Sequence, residues 1–218
     1  MISNNFIYLC QLGGLKYRST IDASITLTHF IWSGWVKNLS TSILAFNIVQ
    51  FFPLLNHQLL SLIIDKVELN QKVSAFFKNY LVGMKTKYLW NGFQSLFCNI
   101  DVSIGQGLAL LPILSTLYLS SIFHILEKQL KILKNSIYII SFVDDRLFIS
   151  QKKSISHLNT KLFYTYNVIS FLLMKFGLVV GHGKTEVFHF SRSHRAFNPP
   201  PLDLTPIGSL ILLSKAIW

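Results

Sequence analysis

Asp144 and Asp145 are the only two carboxylates adjacent in the 218 residues, and apolar, β-rich runs close on them from both sides, Ile137 to Phe142 and Leu147 to Ser150. Two like charges in such surroundings repel each other and lose hydration unless a cation sits between them. A divalent ion such as Mg²⁺ meets that need, because it takes one or two carboxylates together with substrate phosphates. An ordinary Asp-rich hairpin turn is the other reading of the same residues, since Asp is a common turn former. Phosphoryl transfer by two metal ions requires a third carboxylate on a neighbouring strand, close enough to bridge both ions. The place for it is the end of the apolar run Ile43 to Val49, just before the Phe51-Phe52-Pro53 turn. The residue there is Asn47, whose amide offers a carbonyl oxygen but no negative charge.

Carboxylates are scarce throughout. Nine Asp and Glu stand against 20 Lys and Arg, a formal charge of +11. Charged residues make up 13% of the chain, about half the ~25% usual in soluble domains. Apolar residues at 51% exclude disorder of the whole chain. The positive charge fits a polyanionic partner, nucleic acid or a lipid surface, or else scattered solubilising lysines. Eight of the basic residues follow position 150, against two acids there, Glu186 and Asp203. Cys10 and Cys98 are too few for a disulfide framework, and no CxxC or HxxxH spacing marks a zinc site. The opening MISNNFIYLC lacks the basic start and cleavage site of a signal peptide. An intracellular location, nucleus or cytoplasm, is expected.

Two charge-free runs, Asn38 to Ile64 and Val102 to Leu126, exceed the ~20 residues that cross a bilayer. The first holds Asn47, Gln50, Pro53, Asn56 and His57, and the second Gly105, Gln106, Gly107 and Pro112. Polar groups at that density are costly in hydrocarbon. No stable membrane insertion is expected, and the runs read as buried core.

The elements that must hold these residues follow from local signals. Leu15 to Val36 reads as a helix with Ser19-Thr20 as its cap and Asp22 in the first turn. Ser42 to Val49 is a buried strand, stopped by Pro53. Asn56 caps a helix to about Val67, and a second helix runs from Asn70 to Lys85. Two strands follow around Asn91-Gly92 between Thr86 and Ile104. Gly105-Gln106-Gly107 makes a turn, and Leu108 to Leu133 is mostly helical. The two β runs around Asp144-Asp145 come next, then a helix from Ser154 to Lys175 and one or two strands from Leu178 to Phe190. Asn198-Pro199-Pro200-Pro201 is a linker or turn. Hairpins mixed with helices give an α+β fold, a sheet layered with helices.

Several ordered segments carry a resemblance. Ala45-Phe46-Asn47-Ile48-Val49-Gln50-Phe51-Phe52-Pro53 with Asn56-His57 is followed by Gly105-Gln106-Gly107-Leu108-Ala109-Leu110-Leu111-Pro112-Ile113-Leu114. Then come Phe142-Val143-Asp144-Asp145, Gly177-Leu178 and Gly183-Lys184-Thr185-Glu186, with Gly14-Leu15-Lys16-Tyr17-Arg18-Ser19-Thr20-Ile21-Asp22 upstream. Over about residues 11 to 218 the chain resembles the reverse transcriptases of non-LTR (LINE-type) retrotransposons, particularly fungal ones. The resemblance implies a right-hand polymerase palm, an antiparallel sheet backed by helices, with a partial fingers segment and no thumb. Its boundaries would be 1–41 for the fingers remnant, 42–195 for the palm and 196–218 for a Pro-rich linker and the start of a truncated C-terminal region.

The implied activity is RNA-directed DNA polymerisation by two-metal nucleotidyl transfer, with a template–primer of RNA or DNA and dNTPs as partners and Mg²⁺ as cofactor. Asp144 would be a Mg²⁺ ligand with Asp145 beside it, and position 47 the ligand shared by both ions. Phe52 would stack under the sugar and exclude a 2′-OH. Gln106 and Gly107 would pack against nucleotide and template, and Lys184 would stand near the departing pyrophosphate as a proton donor.

The sequence departs from the family at chosen places. Asn47 replaces its Asp, Leu108 and Leu111 replace two serines, and Arg146 stands where small residues are usual, able to ion-pair with Asp145 in place of metal. A degenerate and truncated copy, catalytically impaired, is the expectation. A non-catalytic basic nucleic-acid-binding remnant is the alternative, and a small membrane protein the third reading.

Overall fold

The structure, a computed structural model, describes residues 6–67, 69–104, 110–132, 137–143 and 145–192, and the backbone of Leu202–Asp203 and Leu210–Ile211. Asp144, Gln106, Gly107 and the Pro-rich segment therefore lie outside the described residues.

Short-range chemistry sets where the helices begin. Helix α1 (Thr20–Val36) starts at Ser19, whose hydroxyl accepts from the Asp22 amide while the Asp22 carboxylate accepts from the Ser19 amide and hydroxyl. This reciprocal capping box satisfies amides that the first helical turn leaves open. The Ser19 hydroxyl, and after it the Ser19 amide, hold the Asp22 carboxyl below its usual pKa range. The helix does not extend back to Leu15, because Gly14 (φ +74°) and Tyr17 (φ +62°) take left-handed backbone that a right-handed helix cannot include. Asn56 caps α2 (His57–Lys66) by accepting from the Leu59 amide, and Asn70 caps α3 (Gln71–Leu81) by accepting from the Lys72 amide. Helix α3 stops short of Lys85, since Val82 is extended and Gly83 has φ +68°.

Beyond α3 the chain folds back on itself twice. Strand β2 (Lys85–Thr86) pairs with β5 (Cys98–Asn99), and inside them β3 (Leu89–Trp90) pairs with β4 (Phe93–Gln94). Asn91 and Gly92, at φ +44° and +83°, make the turn, the left-handed pair that a tight hairpin demands. Helix α4 (Leu111–Ile132) follows.

The main sheet is antiparallel throughout. It consists of β1 (Ser40–Val49), β6 (Tyr138–Phe142), β7 (Asp145–Lys152), β8 (Val179–Val180) and β9 (Glu186–Phe190). β1 is central, with β7 on one side and β9 then β8 along the other. Helix α5 (Ile155–Lys175) connects β7 to β8. Residues alternate across the sheet as the pleat requires. Leu44, Phe46, Ile48, Phe148 and Val187 join residues of α4 and α5 in the larger core, where the Phe46 and Phe148 rings meet edge to face at 5.1 Å. On the other face Ile43, Ile140, Ile149 and Leu12 pack with Leu27, Phe30 and Ile31 of α1. The N-terminal segment adds a parallel contact to β6, with Ser141 bonded on both sides to Cys10 and Leu12.

The charge-free runs are broken into separate pieces. The first becomes β1, a 3₁₀ turn at Phe52–Leu54 and most of α2, and no helix among the described residues is long and apolar enough to cross a membrane. Residues Leu202–Asp203 (β10) and Leu210–Ile211 (β11) pair with each other.

Candidate functional site

One end of the main sheet gathers most of the residues singled out in the sequence. Asn47 and Asp145 are direct partners across β1 and β7, so their side chains leave the same face of the sheet. That is the face opposite the larger core. Ala45 and Glu186 are partners on that face across β1 and β9, which brings a further carboxylate to it. Asp145 and Glu186 are exposed and Asn47 is half-buried.

The hairpin that carries Asp145 turns at Val143, whose φ of +53° is an uncommon conformation for a β-branched residue. The segment before α1 holds it there. A Cβ on Gly13 would stand 2.5 Å from the Val143 amide nitrogen and 2.7 Å from its Cγ2, so only glycine lets the two backbones approach this closely. Strain maintained by surrounding structure is a feature of functional sites. The register pairs Phe142 directly with Asp145.

The other side of Asn47 is set by β8. The Gly181 amide donates to the Asn47 carbonyl at 2.8 Å, and a Cβ on Gly181 would meet Asn47 Oδ1 at 2.1 Å. The amide oxygen thus lies over the Gly181 backbone, where it is buried and accepts no hydrogen bond. Directly after Gly181 comes the 3₁₀ turn His182–Lys184, in which the Lys184 amide donates to the Gly181 carbonyl and its side chain is exposed. The His182 ring is fixed by Tyr166, hydroxyl to Nδ1 at 2.6 Å. The structure therefore brings Lys184 to the same sheet end as Asn47 and Asp145.

Phe52 follows β1 by one tight turn, in which Gln50 has φ +44°. Its ring lies 5.2 Å from that of buried Phe51 and packs against the core edge, half-buried. Its carbonyl accepts from the Ile104 amide at 3.1 Å, so the chain entering Gly105 starts beside Phe52.

Arg146 departs from expectation. Strand alternation turns it to the face opposite Asp145's carboxylate, where it is 1% exposed, with its guanidinium 5.3 Å from the centre of the Phe123 ring. One of its nitrogens donates to the Asp145 main-chain carbonyl at 2.6 Å. The period of two in a strand was the signal that would have separated residue 146 from residue 145.

A polar row beneath the sheet was not foreseen from the sequence. Ser150, Ser42 and His189 are successive cross-strand partners on the core side, and Ser42 Oγ lies 2.6 Å from His189 Nδ1. Burial pushes His189 down to about 4, so the imidazole is neutral at ordinary pH. Among the described residues no group of three His, Cys, Asp or Glu is placed to hold a metal ion.

No family model matches the chain, and no curated protein matches it in sequence. Its fold is similar to solved telomerase structures. These include apo telomerase from Candida tropicalis truncated from its C-terminal domain, with a TM-score of 0.61, 18% identity, and 82% of this chain and 36% of that one covered. Telomerase from Candida tropicalis in complex with a TWJ fragment of telomeric RNA matches with a TM-score of 0.63 at 15% identity, over 86% of this chain and 31% of that one. The corresponding Candida albicans complex gives 0.54 and 14%, covering 86% and 33%. The chain spans about a third of the length of these structures. Its α+β sheet and helices share the fold of the matched part of these telomerase structures.

Proposed function

We propose that the chain is the palm, with a partial fingers segment at 1–41, of a non-LTR retrotransposon reverse transcriptase, and that its nucleotidyl transfer is impaired. Residues 42–195 form the palm in this reading, and 196–218 begin the C-terminal region. The observation that carries it is the register of β1 on β7. Position 47 stands directly across from Asp145 at the tip of the two-carboxylate hairpin, at the sheet end that also holds Phe52 and Lys184. The telomerases similar in fold include structures with a bound telomeric RNA fragment, which supports a nucleic-acid partner for this chain as well.

The residues divide the work by chemistry. Asp144 and Asp145 would hold Mg²⁺, which supplies charge to neutralise the phosphates of a dNTP. A single ion suits this donor set. A pair of ions sharing one bridging carboxylate does not, because Asn47 brings a neutral oxygen that lies over Gly181. Phe52 would bound the sugar, Gln106 and Gly107 the nucleotide and template, and Lys184 would present its ammonium to the leaving pyrophosphate.

The test is primer extension on an RNA template with dNTPs and Mg²⁺. The loss of one of three metal-binding charges lowers the rate at least ~10²-fold, so the chain extends nothing measurable, and Asn47→Asp alone restores only part. Clear dNTP incorporation by the unaltered protein would overturn the impairment.

The second reading keeps binding and drops catalysis. It is favoured by the basic excess after residue 150 and by the missing charge at position 47. Filter binding of a primed RNA across a salt series distinguishes the two: affinity falling steeply with salt, with extension still absent after Asn47→Asp, selects the non-catalytic binder.

A further inference from the structure

We infer that the β3–β4 hairpin is a stacking platform for single-stranded nucleic acid, separate from the sheet end described above. This rests on the nucleic-acid reading of the chain and assigns to one element the task of holding unpaired bases. Tyr88, Trp90, Phe93 and Phe97 expose between 65 and 76% of their surface. Folding normally removes such rings from water. Here the two-residue turn at Asn91-Gly92 fixes them outward instead.

The register orders the rings. Trp90 and Phe93 are direct partners, and Tyr88 is bonded to Ser95 in both directions, its amide to the Ser95 hydroxyl and its carbonyl to the Ser95 amide. With strand alternation, Tyr88, Trp90 and Phe93 share one face of the ribbon. Aromatic faces in a row are what successive unpaired bases stack on, with little regard to sequence.

Charge selects the occupant. From Leu69 to Ile100 the sequence holds four lysines, Lys72, Lys78, Lys85 and Lys87, and no carboxylate. Lys87 belongs to the other face of the same ribbon, with Gln94: its ammonium donates to the Gln94 side-chain oxygen at 3.1 Å and lies 5.7 Å from the centre of the Phe97 ring, at the ribbon's edge. Lys78 is paired with Asp65, which leaves Lys87 as the cation beside an exposed ring, and such a cation complements a phosphate backbone whose bases turn toward the rings. An apolar protein partner would have no use for that cation.

The platform also connects to the other site. The Ile100 amide bonds the Met84 carbonyl at the hairpin base, and the chain then runs past α2, where the Ser103 amide bonds the Leu55 carbonyl, to Ile104 beside Phe52.

The test uses the full chain and fluorescence anisotropy with two probes, a short labelled oligouridylate and a blunt RNA–DNA duplex. Trp90→Ala with Phe93→Ala weakens oligouridylate binding by at least about tenfold and changes duplex binding less than about twofold. Trp90→Tyr, which keeps a stacking ring, restores most of the affinity. Lys87→Gln reduces the salt slope for oligouridylate by about one. Unchanged oligouridylate binding in the double variant, or equal loss on both probes, overturns the platform while leaving the sheet-end reading intact. Loss of self-association by sedimentation without loss of oligouridylate binding overturns it too, and assigns the rings to a second copy of the chain. A protein that binds neither probe removes the underlying nucleic-acid reading itself.

Discussion

The β6–β7 and β3–β4 hairpins obey one geometric rule and reach opposite ends. Each turns through left-handed backbone, at Val143 in the first and at Asn91 and Gly92 in the second. The second uses the residue types that enter this conformation easily, so a few neighbouring residues suffice to form it, and its side chains stay in water. The first places a valine where left-handed backbone is worth roughly 1–2 kcal/mol of strain. It is held by β1 on one side and by the Gly13 backbone at its tip. A turn that only its surroundings can maintain is fixed in position, as the ligand-holding role proposed above for this hairpin would need. A turn that forms by itself suits an arm whose contacts lie outside the chain.

Substitutions can break this contrast, and the deepest cut comes first. Phe148 is fully buried against Phe46 beneath the β6–β7 hairpin, and Phe148→Ala should lower unfolding free energy by about 3–5 kcal/mol in urea titration. Trp90→Ala, also a loss of a large ring, should change it by less than about 0.5 kcal/mol. Equal effects would erase the distinction between supported and self-sufficient hairpins.

Acid should unsettle the sheet next. His189 is neutral when folded, because burial lowers its pKa to about 4, well below the ordinary imidazole range. The unfolded chain binds the proton first, so this contribution is complete above about pH 6.5. It declines as pH falls toward 4, by up to about 3 kcal/mol. Urea titrations at a series of pH values check it, and His189→Gln should flatten the slope in that window.

Gly13→Ala sharpens the comparison at the tip itself. The new methyl would meet main-chain atoms of Val143 and Phe142, which cannot rotate away, and a loss of about 2 kcal/mol is expected. Amide exchange should quicken at β6 and β7 and stay unchanged at β3 and β4.

Gly92→Ala is the smallest. Its added Cβ meets nothing within 4 Å, so only the φ of +83° opposes it, at about 1 kcal/mol. Faster amide exchange confined to β3 and β4, with global stability nearly constant, is the expected result.

Much of this architecture was legible locally. The caps at Ser19, Asn56 and Asn70, the Asn91-Gly92 turn and the apolar alternation of β1 all follow from bonds or sterics spanning a few residues. The left-handed residues at Gly14 and Tyr17 were not legible from helix periodicity, so α1 begins later than the pattern suggests. Arg146 was legible only if the strand period was applied to it. Its burial over Phe123 depends on α4, which the local pattern does not contain.

The sequence by itself determined which residues could do chemistry, which segments could be helix or strand, and that position 47 offers an amide instead of a carboxylate. Tertiary structure alone decided that Asn47 faces Asp145, that its oxygen lies over Gly181, that Ser42 and His189 meet 147 positions apart, and that Gly13 clamps Val143. Strand pairing fixes these contacts between distant segments. Any apolar strand can pair with several others, and only the joint packing of both sheet faces selects one register.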